Sequence, residues 1–188
     1  AANKQKRVAL VSLDLGAIGR MSCNPAIGGL AKGQIVREID VLGGLMGKIT
    51  DQSGIQFKIL NKSKGKSVWS PRAQVDKRRY EKTVSSLVLN HSHITIVEGE
   101  AIDVLITNYR ATGVVLRGGQ KILSLAVLLT CGTFLNGLIH IGQKKIRAGR
   151  MGESGAEGIT EALSLRGFLA GRLKTGTPPR LDKSSIDW

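Results

Sequence analysis

Hydrophobic residues form two kinds of pattern along this chain, and each pattern predicts one kind of secondary-structure element. The segment Arg7–Leu13 alternates little between apolar and polar residues and is rich in Val and Leu, which is typical of a buried strand in a parallel sheet. From Gly29 to Leu42 the apolar residues fall three or four positions apart, which predicts an amphipathic helix that ends at Gly43. One face of that helix carries Ile35, Val36, Ile39 and Leu42.

The rest of the chain predicts further helices and short strands. Residues 45–71 lack a clean period and predict an irregular connection, after which Pro71 begins a helix that reaches about Asn90. A helix is expected over Thr160–Leu165 and a strand over Phe168–Leu173. Four strand-like runs predict a meander that leads into a final buried strand, and they are Ile94–Val97, Ile102–Thr107, Gly113–Leu116 and Lys121–Leu129.

Net charge adds a functional expectation to this α/β pattern. The chain of 188 residues carries a formal charge of +14, which points to a polyanionic partner such as nucleic acid. The segment Lys58–Lys82 holds nine basic and two acidic residues, half of that charge. Trp69 and Tyr80 lie within it, and aromatic rings between basic residues can stack on unpaired bases. A solvated charged helix face is the alternative, and the residues alone leave both open.

Cysteine usage and hydropathy indicate the compartment. Cys23 and Cys131 are the two cysteines, they form no disulfide framework, and such usage fits a reducing cytosol. The longest apolar runs, such as Leu125–Leu129, fall far short of the roughly 20 residues of a membrane helix. His91 and His93 lack the acidic or thiol neighbours that would complete a metal site. We therefore expect a soluble, cytoplasmic protein without a membrane or metal partner.

The segment Ser22–Asp40 is the most distinctive candidate for chemistry. A Cys-Asn-Pro turn runs through Gly28 and Gly29 into the predicted helix, where glycines permit close ligand approach and free N–H groups attract anions. Cys23 lies near basic residues in the sequence, and such surroundings can lower the pKa of a thiol. An inert thiol that fills a tight turn is the alternative, and the pattern alone does not decide between them.

Two strand ends are candidates for cofactor contacts. The turn Thr130–Thr133 follows the predicted final strand, and doubly wound sheets bind ligands beyond the carboxyl ends of their strands. Gly132 permits close backbone approach, and the two threonine hydroxyls can bond a phosphate or ribityl oxygen; a simple strand-ending turn fits equally well. Ser12 and Asp14 end the first predicted strand, where dinucleotide folds often hold an acidic partner for the ribose.

Four blocks of this sequence resemble the glucose-inhibited division protein A family of tRNA uridine 5-carboxymethylaminomethyl modification enzymes. They are Ser22–Asp40, Gly54–Tyr80, Thr130–Gly142 and Gly171–Asp182, and they follow the family's order and spacing. The chain departs from the family pattern where Lys66-Ser67 replaces Pro-Ala and where Ser154 replaces Pro, which loosens two turns.

The resemblance implies a fragment with a partial FAD/NAD(P)-binding domain of the glutathione-reductase type, crossed by a β-meander. Family members open with a strand and a GxGxxG-type turn, which do not occur here. The partial domain is expected over residues 1–177. Residues 178–188, beginning at Pro178-Pro179, are expected to start the connection towards a nicotinamide-binding insertion.

The resemblance also implies an activity. Members install a carboxymethylaminomethyl group at C5 of the wobble uridine, using FAD, NADH and methylene-tetrahydrofolate, together with a GTPase partner, and the full-length protein is expected to be a homodimer. Two alternatives are a folate- and FAD-dependent tRNA uracil methyltransferase and a basic RNA-binding module without catalysis.

Residue roles follow from the resemblance and from the turns described above. Cys23 is the expected catalytic residue, either as a nucleophile towards C6 of the uridine or as a thiol beside the flavin. The expected FAD contacts are Ser12, Asp14, Asn24, Gly28, Gly29, Ala101, Thr130, Gly132, Thr133 and Thr160. The expected RNA contacts are Lys64, Lys66, Arg72, Lys77, Arg78, Arg79, Arg172 and Lys174. For the last two, a plain structural loop is the alternative.

Overall fold

The structure is a computed structural model that describes residues 1–21, 24–132, 134–149, 152–174, 176 and 181–187. The chain forms two compact units, residues 1–98 and 99–188, and each is described by itself. The predicted boundary at Pro178-Pro179 lies outside the described residues and stays a prediction. No helix in the described ranges is long and apolar enough to cross a membrane.

The first unit contains a parallel strand pair and a separate antiparallel sheet. Its elements in chain order are β1 (Val8–Ser12), β2 (Ala26–Gly28), α1 (Lys32–Val41), α2 (Met46–Ser53), β3 (Gly54–Leu60), β4 (Ser70–Val75), α3 (Lys77–Leu89) and β5 (Ile94–Glu98). β1 pairs with β5 in parallel, from Val8 opposite Ile94 to Ser12 opposite Glu98. This pairing confirms the parallel strand predicted over Arg7–Leu13, whereas Ile94–Val97, predicted as the first run of the meander, pairs with β1 instead.

The antiparallel sheet has the order β2-β4-β3, and it corrects two predictions. Residues 45–71 are not irregular, because α2, β3 and the start of β4 lie there. Pro71 lies inside β4 opposite Ile59 and starts no helix. The helix begins at Lys77 instead, because the Asp76 carboxylate accepts the backbone N–H of Arg79 at 2.9 Å and caps the first turn.

One face of this sheet packs on the core of the first unit. Ile49 of α2, Ala73 and Val75 of β4, and Tyr80 of α3 form a buried cluster. Tyr80 is only 7% exposed, and burial raises the pKa of its phenol. Its ring is therefore unable to stack on a base, which corrects the expectation drawn from its place among basic residues.

The apolar face of α1 does not enter this core. The helix starts at Lys32, three residues later than predicted, and Ile35 and Leu42 remain 52% and 82% exposed. Gly33, about 200° around the helix from Ile35, is the buried position, and a Cβ there would lie 2.7 Å from the Pro71 carbonyl oxygen. The helix therefore approaches β4 with its glycine side and leaves its apolar side open.

The second unit is built on an antiparallel meander formed by the last three of the four predicted runs. β6 (Ala101–Thr107), β7 (Arg110–Leu116) and β8 (Lys121–Leu123) form an antiparallel sheet in that order. A hairpin of β9 (Leu138–Ile141) and β10 (Lys144–Arg147) follows, and then α4 (Ile159–Leu165). α4 matches the predicted helix.

Two predicted strands of this unit are not formed as expected. The strand Lys121–Leu129 ends at Leu123, and Leu125 and Leu128 are 104% and 84% exposed. Residues 168–173 adopt neither helix nor strand. A strand that is apolar on both faces needs neighbouring strands and covering layers, and among the described residues no strand pairs with residues 124–129 or 168–173.

Candidate functional site

The glycine turn at the entrance to α1 is shaped by β4. Gly28 and Gly29 have φ of 88° and 95°. A Cβ at Gly28 would lie 2.3 Å from the Pro71 carbonyl oxygen, and that oxygen accepts the N–H of Gly29 at 2.8 Å. The close approach that glycine permits is therefore made by the chain's own backbone.

The same contacts correct the expectation of free N–H groups at this helix entrance. The N–H of Lys32 donates to the Leu30 carbonyl at 2.7 Å, and that of Gly33 donates to the Gly29 carbonyl at 2.8 Å. With the N–H of Gly29 also bonded, these three donors are engaged within the chain. Contact of Gly28 and Gly29 with FAD stays a prediction, and Asn24 is an exposed neighbour of the turn.

An open groove lies beside this turn. Its volume is about 640 Å³, and the exposed apolar side of α1 forms one wall through Ile35 and Ile39. The glycine turn, Leu60 and Arg72 also line it. Apolar walls with a few polar groups are the usual surroundings of a bound organic ring. The groove thus explains why the apolar face of α1 is exposed in this unit.

The basic residue closest to Cys23 in the sequence is held by carboxylates. Arg20 pairs with Asp14 and with Glu81, each at 3.3 Å. Asp14 also caps a short 3₁₀ turn by accepting the N–H of Gly16 at 2.8 Å, and Ser12 donates to the Asp14 carbonyl at 2.9 Å. The charge of Arg20 is thus compensated by acidic groups, which weakens its predicted effect on the thiol. Cys23 itself lies outside the described residues.

The predicted cofactor residues of the second unit occupy separate places in it. Ala101 begins β6, and Thr160 lies in the first turn of α4. Thr130 is exposed, and Gly132 has φ 67° with open space around its Cα, whereas Thr133 lies outside the described residues. Their cofactor roles stay predictions.

The N-terminus of α4 is capped by the side chain of Glu161. The Glu161 carboxylate accepts the N–H of Gly158 at 2.9 Å and the side-chain amide of Asn136 at 2.6 Å. Hydrogen bonding to its own backbone N–H and to Asn136 holds the pKa of the Glu161 carboxyl below its usual value. This helix terminus therefore carries its own anion.

Two ion pairs in the second unit were not foreseen from the sequence. The Glu100 carboxylate accepts from Arg117 and, at 2.8 Å, from the N–H of Glu157. Asp103 pairs with Arg166 at 2.7 Å. These hydrogen bonds outweigh burial and hold the pKa of both carboxyls below their usual values. The pairs join parts of the chain far apart in sequence, so no local pattern indicates them.

The predicted RNA-contacting side chains are exposed, as contact with a polyanion requires. Lys77, Arg78 and Arg79 form the first turn of α3, where the helix dipole disfavours cations. The remaining ones are Lys64 and Lys66 in the loop before β4, Arg72 on β4, and Arg172 and Lys174 in an irregular segment.

A second concavity was missed at the sequence level. It has a volume of about 200 Å³ and is lined by Gln56, Lys58, Leu60, Arg72 and Gln74. The alternation Ile-Gln-Phe-Lys-Ile over residues 55–59 is a strand signal that could have predicted β3, which forms one side of the concavity.

The parallel pair, the meander and the glycine turn define an α/β protein of the predicted dinucleotide-binding type, and comparison with known proteins agrees. The chain superimposes with a TM-score of 0.87 and 50% identity on GidA of Aquifex aeolicus, over 95% of this chain and 30% of that one. A GidA-related protein from Thermus thermophilus gives a TM-score of 0.61 at 21% identity, over 89% of this chain and 61% of that one, which shows the fold alone.

The profile of the family described as "Glucose inhibited division protein A" matches residues 1–188, and the chain belongs to this family. Relatives include the tRNA uridine 5-carboxymethylaminomethyl modification enzyme MnmG of Karelsulcia muelleri, 48% identical over 100% of this chain and 31% of its own length. The protein of the same name from Chlorobaculum tepidum is 51% identical over 95% of this chain and 29% of its own length. The chain thus spans about 30% of the length of these relatives, and the resemblance seen in the sequence is confirmed.

Proposed function

We propose that this chain is part of an FAD-dependent enzyme that installs a carboxymethylaminomethyl group at C5 of the tRNA wobble uridine. The observation that carries the proposal is the match to relatives of that name at about half identity over the whole chain, for example 48% over 188 residues. The proposal includes NADH, methylene-tetrahydrofolate, a GTPase partner, a homodimer and a cytoplasmic location. The folate-dependent methyltransferase is disfavoured, because the similar proteins bear the MnmG name.

The first unit supports a cofactor role by its shape. The groove beside Gly28 and Gly29 has apolar walls for a flat ring and a cation, Lys32, for anionic groups. Around Gly29 the groove is open, since a Cβ there would meet only the Leu60 side chain at 3.9 Å. FAD bound here would supply redox chemistry. The cofactor contacts predicted in the second unit, from Ala101 to Thr160, stay predictions.

On the basis of the family motif, we assign to Cys23 a covalent step in the modification of uridine. Addition of its thiolate to C6 of uridine forms an S–C6 bond and moves the C5–C6 π electrons towards C5 and the O4 carbonyl. C5 then bonds to the methylene carbon of methylene-tetrahydrofolate, while one C–N bond of that carbon breaks and its electron pair stays on the folate nitrogen, which takes up a proton. Loss of the C5 proton and departure of the thiolate restore the double bond, so the thiol is regenerated. If the thiol instead attends the flavin, no such adduct forms.

The test is complementation of a strain that lacks the enzyme. The full-length gene that contains this segment should restore carboxymethylaminomethyl-uridine, measured by mass spectrometry of nucleosides from digested tRNA, and the purified protein should show flavin absorbance. Restoration of 5-methyluridine alone would point to the methyltransferase. Binding of tRNA without any modified nucleoside would leave the RNA-binding module.

A further inference from the structure

The smaller pocket lies on one face of the β3–β4 ladder. Gln56, Lys58 and Leu60 are alternate residues of β3, and Arg72 and Gln74 are alternate residues of β4. Alternate residues of a strand point to the same side. The opposite face carries Ala73 and Val75 into the core. The pocket is therefore on the open side of the sheet, where a ligand can reach it.

Two cations face each other across this pocket. Lys58 and Arg72 are direct register partners in the antiparallel ladder, which places their Cβ atoms about 5 Å apart on the same face. Like charges directly opposite each other are destabilising. Within the described ranges neither side chain forms an ion pair with a carboxylate. Such an arrangement lowers stability unless an anion lies between the two charges.

The neighbouring groups complete a site for an oxyanion. Gln56 and Gln74 are the next register pair along the same face, and each amide provides two N–H donors. The guanidinium of Arg72 can bond two phosphate oxygens in a fork, and Lys58 adds a point charge. A tetrahedral anion between them would receive charge-assisted hydrogen bonds from both strands.

The pocket is continuous with the larger groove, because Leu60 and Arg72 line both. A phosphate bound between Lys58 and Arg72 would therefore lie beside a space with the apolar walls that a base or another flat ring prefers. The surrounding segment Lys58–Lys82, with nine basic and two acidic residues, favours a ligand that carries further phosphates.

We propose that Lys58 and Arg72, with Gln56 and Gln74, bind a nucleotide phosphate of an RNA strand at the edge of the adjoining groove. The source of the phosphate rests on the proposed function, in which the RNA is tRNA. The same chemistry would suit the pyrophosphate of a dinucleotide cofactor, and the experiment separates the two sources.

The experiment uses the full-length enzyme with Lys58→Gln, Arg72→Gln and the double variant. Fluorescently labelled tRNA is titrated at several salt concentrations, and flavin content and the thermal midpoint are measured on the same preparations. Lys121→Gln is the matched control, since Lys121 is an exposed strand lysine that faces the neutral Val115.

Each single variant should weaken tRNA binding about tenfold and lower the salt slope by about 0.7 to 1, the value for one phosphate. Each should also raise the thermal midpoint, because it removes the like-charge contact. The double variant should lose less than the product of the two single losses, since both cations bind one phosphate. The control and the flavin content should not change.

Arg72→Lys is a second control, which distinguishes loss of the phosphate contact from a general loss of structure. It keeps the positive charge, so the salt slope should not change, but tRNA binding should weaken because lysine cannot form the bidentate hydrogen bonds of a guanidinium. Unchanged tRNA affinity in both single variants overturns the inference, and so does a fall in flavin content with tRNA binding intact, which would assign the pocket to the cofactor. If the wild-type enzyme neither binds nor modifies tRNA, the proposed function fails as well.

Discussion

A side chain at Gly28 would collide with the backbone of a neighbouring strand. Its φ of 88° disfavours any other residue, and a Cβ would lie 2.3 Å from a backbone carbonyl oxygen on β4. We predict that Gly28→Ala lowers the free energy of unfolding by about 2–4 kcal/mol, measured by urea denaturation. Gly43→Ala has a similar φ of 82° but open space, so it should cost only about 1 kcal/mol. Equal effects would show that the β4 contact is unimportant.

Substitution of Cys23 tests the catalytic role that the family motif implies for this residue. In the full-length enzyme, Cys23→Ser should leave folding and flavin content intact, because the hydroxyl is similar in size to the thiol. Formation of the modified uridine should fall at least about 100-fold, because a hydroxyl ionises far less readily than a thiol. Cys131, which is exposed, provides the control, and Cys131→Ser should keep activity. Full activity of the Cys23 variant would reduce that residue to a packing role.

Glu100 gives the second unit a predictable response to acid. The hydrogen bond with Arg117 lowers the pKa of the Glu100 carboxyl in the folded protein. The ionised carboxylate therefore stabilises the folded state fully above the unfolded pKa of about 4.3. This stabilisation is lost as the pH falls through the folded pKa. We predict that Glu100→Gln lowers the free energy of unfolding by about 1 kcal/mol at pH 7. The difference from wild type should shrink towards pH 3 in urea titrations.

An exposed carboxylate on β5, Glu98, provides the comparison for that titration. Glu98→Gln should change stability at pH 7 by less than about 0.5 kcal/mol. A pH-independent difference for Glu100→Gln would mean that packing of the side chain, and not its charge, stabilises this part of the unit.

At the scale of elements, the cations in the first turn of α3 are expected to destabilise the helix and to favour tRNA binding. Lys77, Arg78 and Arg79 oppose the helix dipole there, so neutralising all three should stabilise the helix by about 1 kcal/mol. If they contact RNA phosphates, the same change should weaken tRNA binding and lower the salt slope by about 2. Labelled tRNA titrated against the full-length triple variant at several salt concentrations measures the binding, and urea denaturation measures the stability.

A triple variant of Lys4, Lys6 and Lys121 loses the same charge from residues outside α3 and should shift the salt slope much less. Equal slopes in the two triple variants would mean that only net charge matters. An unchanged slope in the α3 variant would leave its cations as a solvated helix face.

At the scale of the whole molecule, the exposed apolar segments indicate how the 188-residue chain behaves by itself. Leu125 and Leu169 are 104% and 103% exposed, and the chain contains no GxGxxG turn to hold a pyrophosphate. We predict that this chain alone binds FAD weakly, because each missing hydrogen bond to a charged group costs about 1.5–3 kcal/mol. It should also bind a hydrophobic dye through its apolar surface. Copurification with stoichiometric yellow flavin would contradict the first expectation.

Local patterns in the sequence determined much of the element order. The apolar run of β1, the meander and α4 were all predictable, because each depends on periodicity or turn residues within about ten positions. The family motifs identified the candidate chemistry at Cys23 in the same way. The helix predicted from Pro71 failed because the Asp76 cap and the pairing of β4 with two strands outweigh the preference of proline for a first helical turn.

Tertiary structure alone decided which residues meet. The burial of Tyr80, the contact of Gly28 with Pro71 and the register that sets Lys58 opposite Arg72 each join segments distant in sequence. The periodicity of a strand shows which residues share a face, but its register depends on the partner strand, and a shift of one residue would reverse that face. The smaller pocket, for which phosphate binding is proposed, forms only because β3 and β4 pair in this register. For that reason no motif in the sequence revealed it.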